Sequence, residues 1–292
     1  MAEALSEDPN VRRRKLGIDL RRHREALNLS QREAAVALEW SLSKVVRIEA
    51  GAQGVSISDL QAMLRFYQVA DEAEVDALTA AARGGRGRPW WGDYADVVTP
   101  QFARYLGYEG MASDFWVSHP FLVPGLLHTR EYASGLLGVY PESETARKLV
   151  DLRVKRQERL FAQPDATFTF IVGQEALYRW IGGPGVMRRQ LEHLLEFGCK
   201  ENASIRVVPF TAGSHPGLRS PFVMIRRRET DDEMLFVESV NGDQMIQDDP
   251  EQVAEYNEYL EILREISIEG ERAETLLHEQ IDRLRLDRRA HV

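Results

Sequence analysis

The sequence predicts a multidomain α+β protein, with an all-α N-terminal domain followed by a mixed α/β domain that closes with amphipathic helices. Three observations predict it. Up to Ala82 the apolar residues recur at helical spacing in short segments. A Gly- and Arg-rich stretch, Arg83 to Pro89, then breaks that pattern. Beyond Gln163-Pro164 the period changes to that of strands.

Helices are expected over Leu16 to Leu27, Gln31 to Leu38, Leu42 to Glu49, Ile57 to Phe66 and Glu72 to Ala82, separated by Asn28, Gly51, Gly54 and Asp71. Ser30-Gln31-Arg32-Glu33 has the spacing of a capping box, and Ala34, Ala35 and Leu38 mark the inward face of the helix that it starts. Ser41 caps the following helix, where Val45 and Ile48 face the core. Two short capped helices in tandem, ended at Gly51, have helix-turn-helix spacing, in which the second helix enters the major groove of double-stranded DNA.

Charge is distributed to match. The 292 residues carry a net charge of −9, yet residues 11–51 hold ten Lys or Arg against five acids, a local balance of +5. A basic head on an acidic body suits a small phosphate-contacting module. The reading divides the chain into a basic N-terminal arm (1–15), a helix-turn-helix DNA-binding domain (16–82), a flexible connector (83–90) and a regulatory, partner-binding and dimerisation domain (91–292). Arg12, Arg13, Arg14 and Lys15 either contact DNA or solvate the arm, and the connector arginines are open to the same two readings.

In the second domain, Trp90, Trp91, Tyr94, Phe102, Tyr105, Phe115 and Trp116 precede the loop from His119 to Leu127, and they suit a core more readily than a ligand pocket. A helix is expected from Ser143 to Phe161, strands at Thr167 to Val172, Ser204 to Pro209, Phe222 to Arg227 and Met234 to Val240, and a helix at Gly185 to Phe197. Glu251 to Ile266 and Glu269 to Leu286 are amphipathic helices that pack within the chain or form a dimer contact.

Other classes of function find little support. The single cysteine, Cys199, allows no internal disulfide and reads as a packed small hydrophobe. The acidic start from Met1 to Asp8 is not a signal peptide, and no apolar stretch spans a bilayer, so a cytoplasmic protein without membrane association is expected. His119, His128, His193, His215 and His278 lack metal-ligand spacing. Gly182-Gly183-Pro184-Gly185 and the loop from Thr211 to Leu218 have neither dinucleotide nor P-loop spacing and read as turns and a helix entry. No metal, no cofactor and no catalytic residue is expected.

The DNA site is assigned by position. Gln31, in the first turn of helix 2, grips a phosphate together with the free backbone N–H groups. Ser41 caps helix 3, on which Leu42 covers a thymine methyl, Ser43 bonds a base or phosphate, Lys44 neutralises a phosphate or reaches guanine, and Arg47 reads a guanine edge.

The run from Leu20 to Ala26, the run from Leu29 to Ala35, and Leu38, Ser41, Val45, Arg47-Ile48-Glu49 and Gly51 resemble the lambda-repressor-like helix-turn-helix family often called the Xre family. The resemblance implies that Gln31 contacts phosphate, that Leu42, Ser43 and Arg47 read bases, and that Glu49 is structural. Glu39 and Trp40 stand where the family usually has glycine and a small branched residue, and Leu42 replaces a polar side chain. The remainder, with its runs Phe121 to Ala133, Gly182 to Leu191 and Val207 to Phe210, is similar to the regulatory domain of actinobacterial regulators described as Scr1-like or antitoxin-like. A non-enzymatic, sequence-specific transcriptional regulator is therefore expected, a homodimeric repressor of a short inverted repeat. The alternative is an antitoxin-like protein that sequesters a small partner encoded nearby and autoregulates its operon.

Overall fold

The computed structural model describes residues 9–138, 144–227, 233–239, 242–247 and 249–290, apart from the side chains of residues 10 and 286–290. The acidic start, and the element ends expected at Ser143 and Val240, lie outside these residues. The chain separates into two units, residues 1–93 and 94–292.

The first unit is helical: α1 (Pro9–Ala26), α2 (Gln31–Ala37), α3 (Leu42–Glu49), α4 (Ile57–Phe66) and α5 (Glu72–Gly84); a 3-10 turn at Trp90–Tyr94 runs from its end into the next unit. Leu16, Leu20, Ala34, Ile48, Leu60, Met63, Leu64 and Leu78 close its core. Two expectations are corrected. Described residues of the basic run do not form an arm, because α1 starts at Pro9 and buries Val11 and Arg14. Gly51 is the reason: a Cβ there would meet the Cα and Cγ of Arg14 at 2.7 Å, so the bare glycine lets the arginine stem pack. The connector is likewise fastened, since the Arg13 guanidinium donates to the carbonyls of Gly85 (3.0 Å) and Gly87 (3.4 Å).

Turns in this unit share one design. After α1, α2, α3 and α4 a single residue takes positive φ, namely Asn28, Glu39, Gly51 and Gln68. In each turn the next N–H reaches back to the carbonyl five residues earlier, as Trp40 does to Ala35 at 2.8 Å. This satisfies helix-end carbonyls in the Schellman manner, with glycine in only one of the four turns.

In the second unit a mixed six-stranded sheet has the order β3-β2-β1-β4-β5-β6. The strands are β1 (Asp114–His119), β2 (Thr167–Gly173), β3 (Ala203–Val208), β4 (Phe222–Arg226), β5 (Glu233–Val237) and β6 (Gln244–Ile246). β1, β2 and β3 run parallel, and β4, β5 and β6 continue antiparallel. The helices are α6 (Pro100–Glu109), α7 (Arg130–Leu137), α8 (Glu144–Phe161), α9 (Gln174–Tyr178), α10 (Pro184–Gly198), α11 (Pro250–Ile266) and α12 (Glu271–Ala290). Alternation along the strands makes two cores. Phe115, Phe168, Phe170, Val207 and Phe236 pack with Tyr105, Leu191, Phe197, Leu277 and Ile281. Ile171, Phe222, Met224 and Leu235 pack with Val253, Leu260 and Leu263 of α11 on the other face.

Both C-terminal helices therefore bury their stripes within the chain. Tyr105 and Phe115 are core residues, as expected. Cys199 corrects its expectation: it is exposed, with Sγ 3.4 Å from the Leu195 carbonyl. No helix among the described residues is long and apolar enough to cross a membrane.

Candidate nucleic-acid interface

The outward face of α3 is set by what holds it from behind. α1 crosses the end of α3 at Gly17, where a Cβ would stand 2.5 Å from the Glu49 carbonyl oxygen, so only glycine permits that approach. One turn beyond Leu20, Arg24 donates to both carboxylate oxygens of Glu49, Nε at 2.8 Å and Nη2 at 2.9 Å. Its Nη1 donates to the Leu29 carbonyl at 2.5 Å. Gln31 donates its Nε2 to the same carboxylate at 2.9 Å. Glu49 thus ties three helices together, and the bidentate pair offsets the cost of burying its charge. Tyr67 lies in the same core, and its buried hydroxyl has no hydrogen-bond partner among the described residues. Burial pushes that phenol well above its ordinary range.

Local caps fix the two short helices. Ser30 Oγ accepts from the Glu33 N–H at 3.2 Å while Glu33 accepts from the Ser30 N–H at 2.7 Å, the reciprocal capping box. The Ser30 hydroxyl, which donates to Glu33 Oε2 at 2.7 Å, and then the Ser30 N–H hold the Glu33 carboxyl below the usual carboxylate range. Ser41 caps α3 by accepting from the Lys44 N–H at 3.3 Å, and its Oγ lies 3.2 Å from that of Ser43.

The candidate contacts divide into two groups. Leu42, Ser43, Val46 and Arg47 are exposed on α3, while Val45, Ile48 and Glu49 are buried. Arg47 donates its Nε to Gln53 Oε1 at 3.1 Å, and its two Nη atoms make no other bond among the described residues. That contact holds the guanidinium in place and leaves the terminal fork available. Lys15 and Arg32 are exposed cations with no ion pair among the described residues.

Lys44, Arg13 and Arg14 are engaged inside the unit. The Lys44 ammonium lies 3.0 Å from Asp59 Oδ1 and 3.7 Å from the centre of the Trp40 ring, so Asp59 neutralises the charge expected to face DNA. This contact also accommodates the large ring at position 40. Gln31 is turned toward Glu49 at the first turn of α2, and Arg12 is half-buried beside Gly84. Gln53 and Asp59 were not singled out by sequence, because each acts across a turn or between helices and falls on no periodic pattern.

The second unit holds a buried polar cluster of its own. Arg156 donates to Glu109 (Nε–Oε2 2.7 Å) and to the Tyr105 hydroxyl (3.1 Å). His128 Nε2 lies 2.6 Å from the Val123 carbonyl and its Nδ1 2.5 Å from Arg153 Nη1, so the ring is neutral, with the proton on Nε2. Burial, and then the Arg153 charge, lower its pKa to about 3. His119 accepts the N–H groups of Phe121 and Leu122 at Nδ1, and burial lowers its pKa to about 4. No three metal-ligating side chains come together among the described residues.

Comparison with protein families finds two matches. Residues 15–78 match a helix-turn-helix domain, the kind of module by which transcription regulators bind DNA, and residues 102–279 match a domain of unknown function, DUF5753. Neither the curated proteins nor the solved structures gave a match. The second match covers more than half of the chain, which thus belongs to the family of the domain of unknown function DUF5753, carrying a helix-turn-helix domain ahead of it.

Proposed function

We propose that the chain is a cytoplasmic, non-catalytic regulator of the Xre kind that represses transcription by binding a short inverted repeat of double-stranded DNA as a homodimer, without metal or cofactor. The observation that carries the reading is the exposed face of α3, where Arg47 is braced by Gln53 with its fork free. Arg47 reads a guanine, Ser43 bonds a base or phosphate, and the α2 N-terminus with Gln31 meets a phosphate. Lys15 and Arg32 add phosphate contacts, and Lys44 serves by fastening α3 to α4.

The homodimer is proposed because one small module offers few base contacts and two modules related by a twofold axis double them. Selection of duplexes from a random pool with the full chain, followed by mass determination of the complex, tests the reading. The expected result is an inverted repeat holding two protomers with half-sites about 34 Å apart or a multiple of it. Failure to enrich any sequence overturns the proposal.

A second reading, an antitoxin-like body that sequesters a small partner protein, draws on one observation. Phe121, Trp180 and Phe210 are exposed aromatics on the segments that follow β1, β2 with α9, and β3. Large exposed apolar groups suit a docking surface.

A further inference from the structure

We infer that α3 reads methyl groups: Leu42 and Val46 are specificity-determining residues that select thymines in the operator through their C5-methyl groups. The inference rests on the proposed DNA reading and adds the chemical class that the helix recognises beside guanine.

Seven large apolar side chains are exposed among the described residues, and three of them, Val36, Leu42 and Val46, lie on the seven-residue α2 and the eight-residue α3. Leu42 is 39% exposed and Val46 40% exposed, although Val45 and Ile48 of the same helix are fully packed. Leu42 and Val46 are four residues apart and share a face, and Ser43 and Arg47 form the adjoining polar row at the same spacing. An apolar row beside a guanine-reading arginine needs an apolar partner on the same surface. Among base edges in the major groove only thymine supplies one, its C5 methyl, and cytosine leaves that position as C–H.

Spacing sets the number of methyl groups. Four residues advance about 6 Å along a helix, too far for one methyl to fill both contacts, so two thymines per half-site are expected. Arg47 places the guanine beside them, and Gln53 fixes which way its fork points.

The test uses the full chain and the duplex that it selects. Each thymine is replaced in turn by deoxyuridine, which removes only the methyl. At two positions per half-site the affinity should fall roughly fourfold, as expected for one buried methyl. The variants Leu42→Ala and Val46→Ala should bind the thymine duplex more weakly by a similar factor, and each should become insensitive to deoxyuridine at one position only. Both positions are exposed, so circular dichroism of the variants should match the parent. Unchanged affinity on the fully deoxyuridine-substituted duplex overturns the inference. So does an equal loss by the variants on both duplexes, or a change in the number of bound protomers, which would make the row a protein contact. These outcomes require a selected sequence, so they differ from failure of the DNA reading itself.

Discussion

A buried bidentate arginine–carboxylate pair is found among the described residues of each unit, and these two pairs differ in what they hold. In the helical unit Arg24 and Glu49 join the long α1 to the short α2 and α3 behind an exposed face. In the sheet unit Arg156 and Glu109 sit beside Tyr105 and Phe102, against a core of aromatic and aliphatic side chains. Helices of seven and eight residues are too short to persist alone, so their orientation depends on such a tie. The difference teaches that directional bonds, beside the packing of Val45 and Ile48, let a helix this short display most of one face.

The largest expected effect breaks the two ties separately. Glu49→Ala leaves Arg24 buried and uncompensated, which should cost about 3 to 5 kcal/mol and abolish DNA binding. Glu109→Ala should cost a similar amount in the sheet unit. Hydrogen exchange read by mass spectrometry should rise across α1 to α4 for the first variant and across α6 and α8 for the second. Increased exchange in the sheet unit alone after Glu49→Ala would refute the role given to that carboxylate.

Next in size is the acid sensitivity that two buried histidines give the sheet unit. His119 and His128 have folded-state pKa values lowered to about 4 and about 3, so below about pH 6.5 the unfolded chain takes up protons that the folded chain refuses. Their contribution is complete above that pH and is lost as pH falls, on the order of 1 kcal/mol per histidine per pH unit. Urea midpoints of His128→Gln should be less steeply pH-dependent between pH 6.5 and 4 than those of the parent. An unchanged pH dependence would mean that the ring protonates in the folded state.

The smallest effect sharpens the account of the helical turns. Glu39 holds φ at +58°, a conformation costing a non-glycine residue roughly 1 to 2 kcal/mol. Glycine there relieves this but adds unfolded-state entropy, so Glu39→Gly should gain about 0.5 kcal/mol. A lower urea midpoint would show that the Glu39 side chain contributes more than its backbone costs.

Legibility in the sequence followed the range of the interactions. Ser30, Ser41 and the inward positions Ala34, Ala35, Val45 and Ile48 identify α2 and α3 because caps and helical spacing are local. Strands β2 to β5 were marked by their branched and aromatic runs, whereas β1 was hidden within an aromatic-rich segment that also contains α6. Sheet order was not legible, since β1 pairs with β2 and β4 across more than fifty residues of chain. In the site, the exposure of Leu42 and Arg47 was readable from spacing. The burial of Arg14 and the capture of Lys44 were not, because Gly51 and Asp59 act from other elements.

The central claim is that α3, held by Glu49 and displayed through Arg47, reads base edges. Binding of Arg47→Ala to the selected duplex and to a scrambled duplex, at several salt concentrations, tests it most directly. The account predicts a loss of about 1 to 3 kcal/mol on the selected duplex with relaxed preference at one base position, and little change on the scrambled one. Equal losses on both duplexes, with the salt slope reduced by about one, would place Arg47 on a phosphate and contradict it.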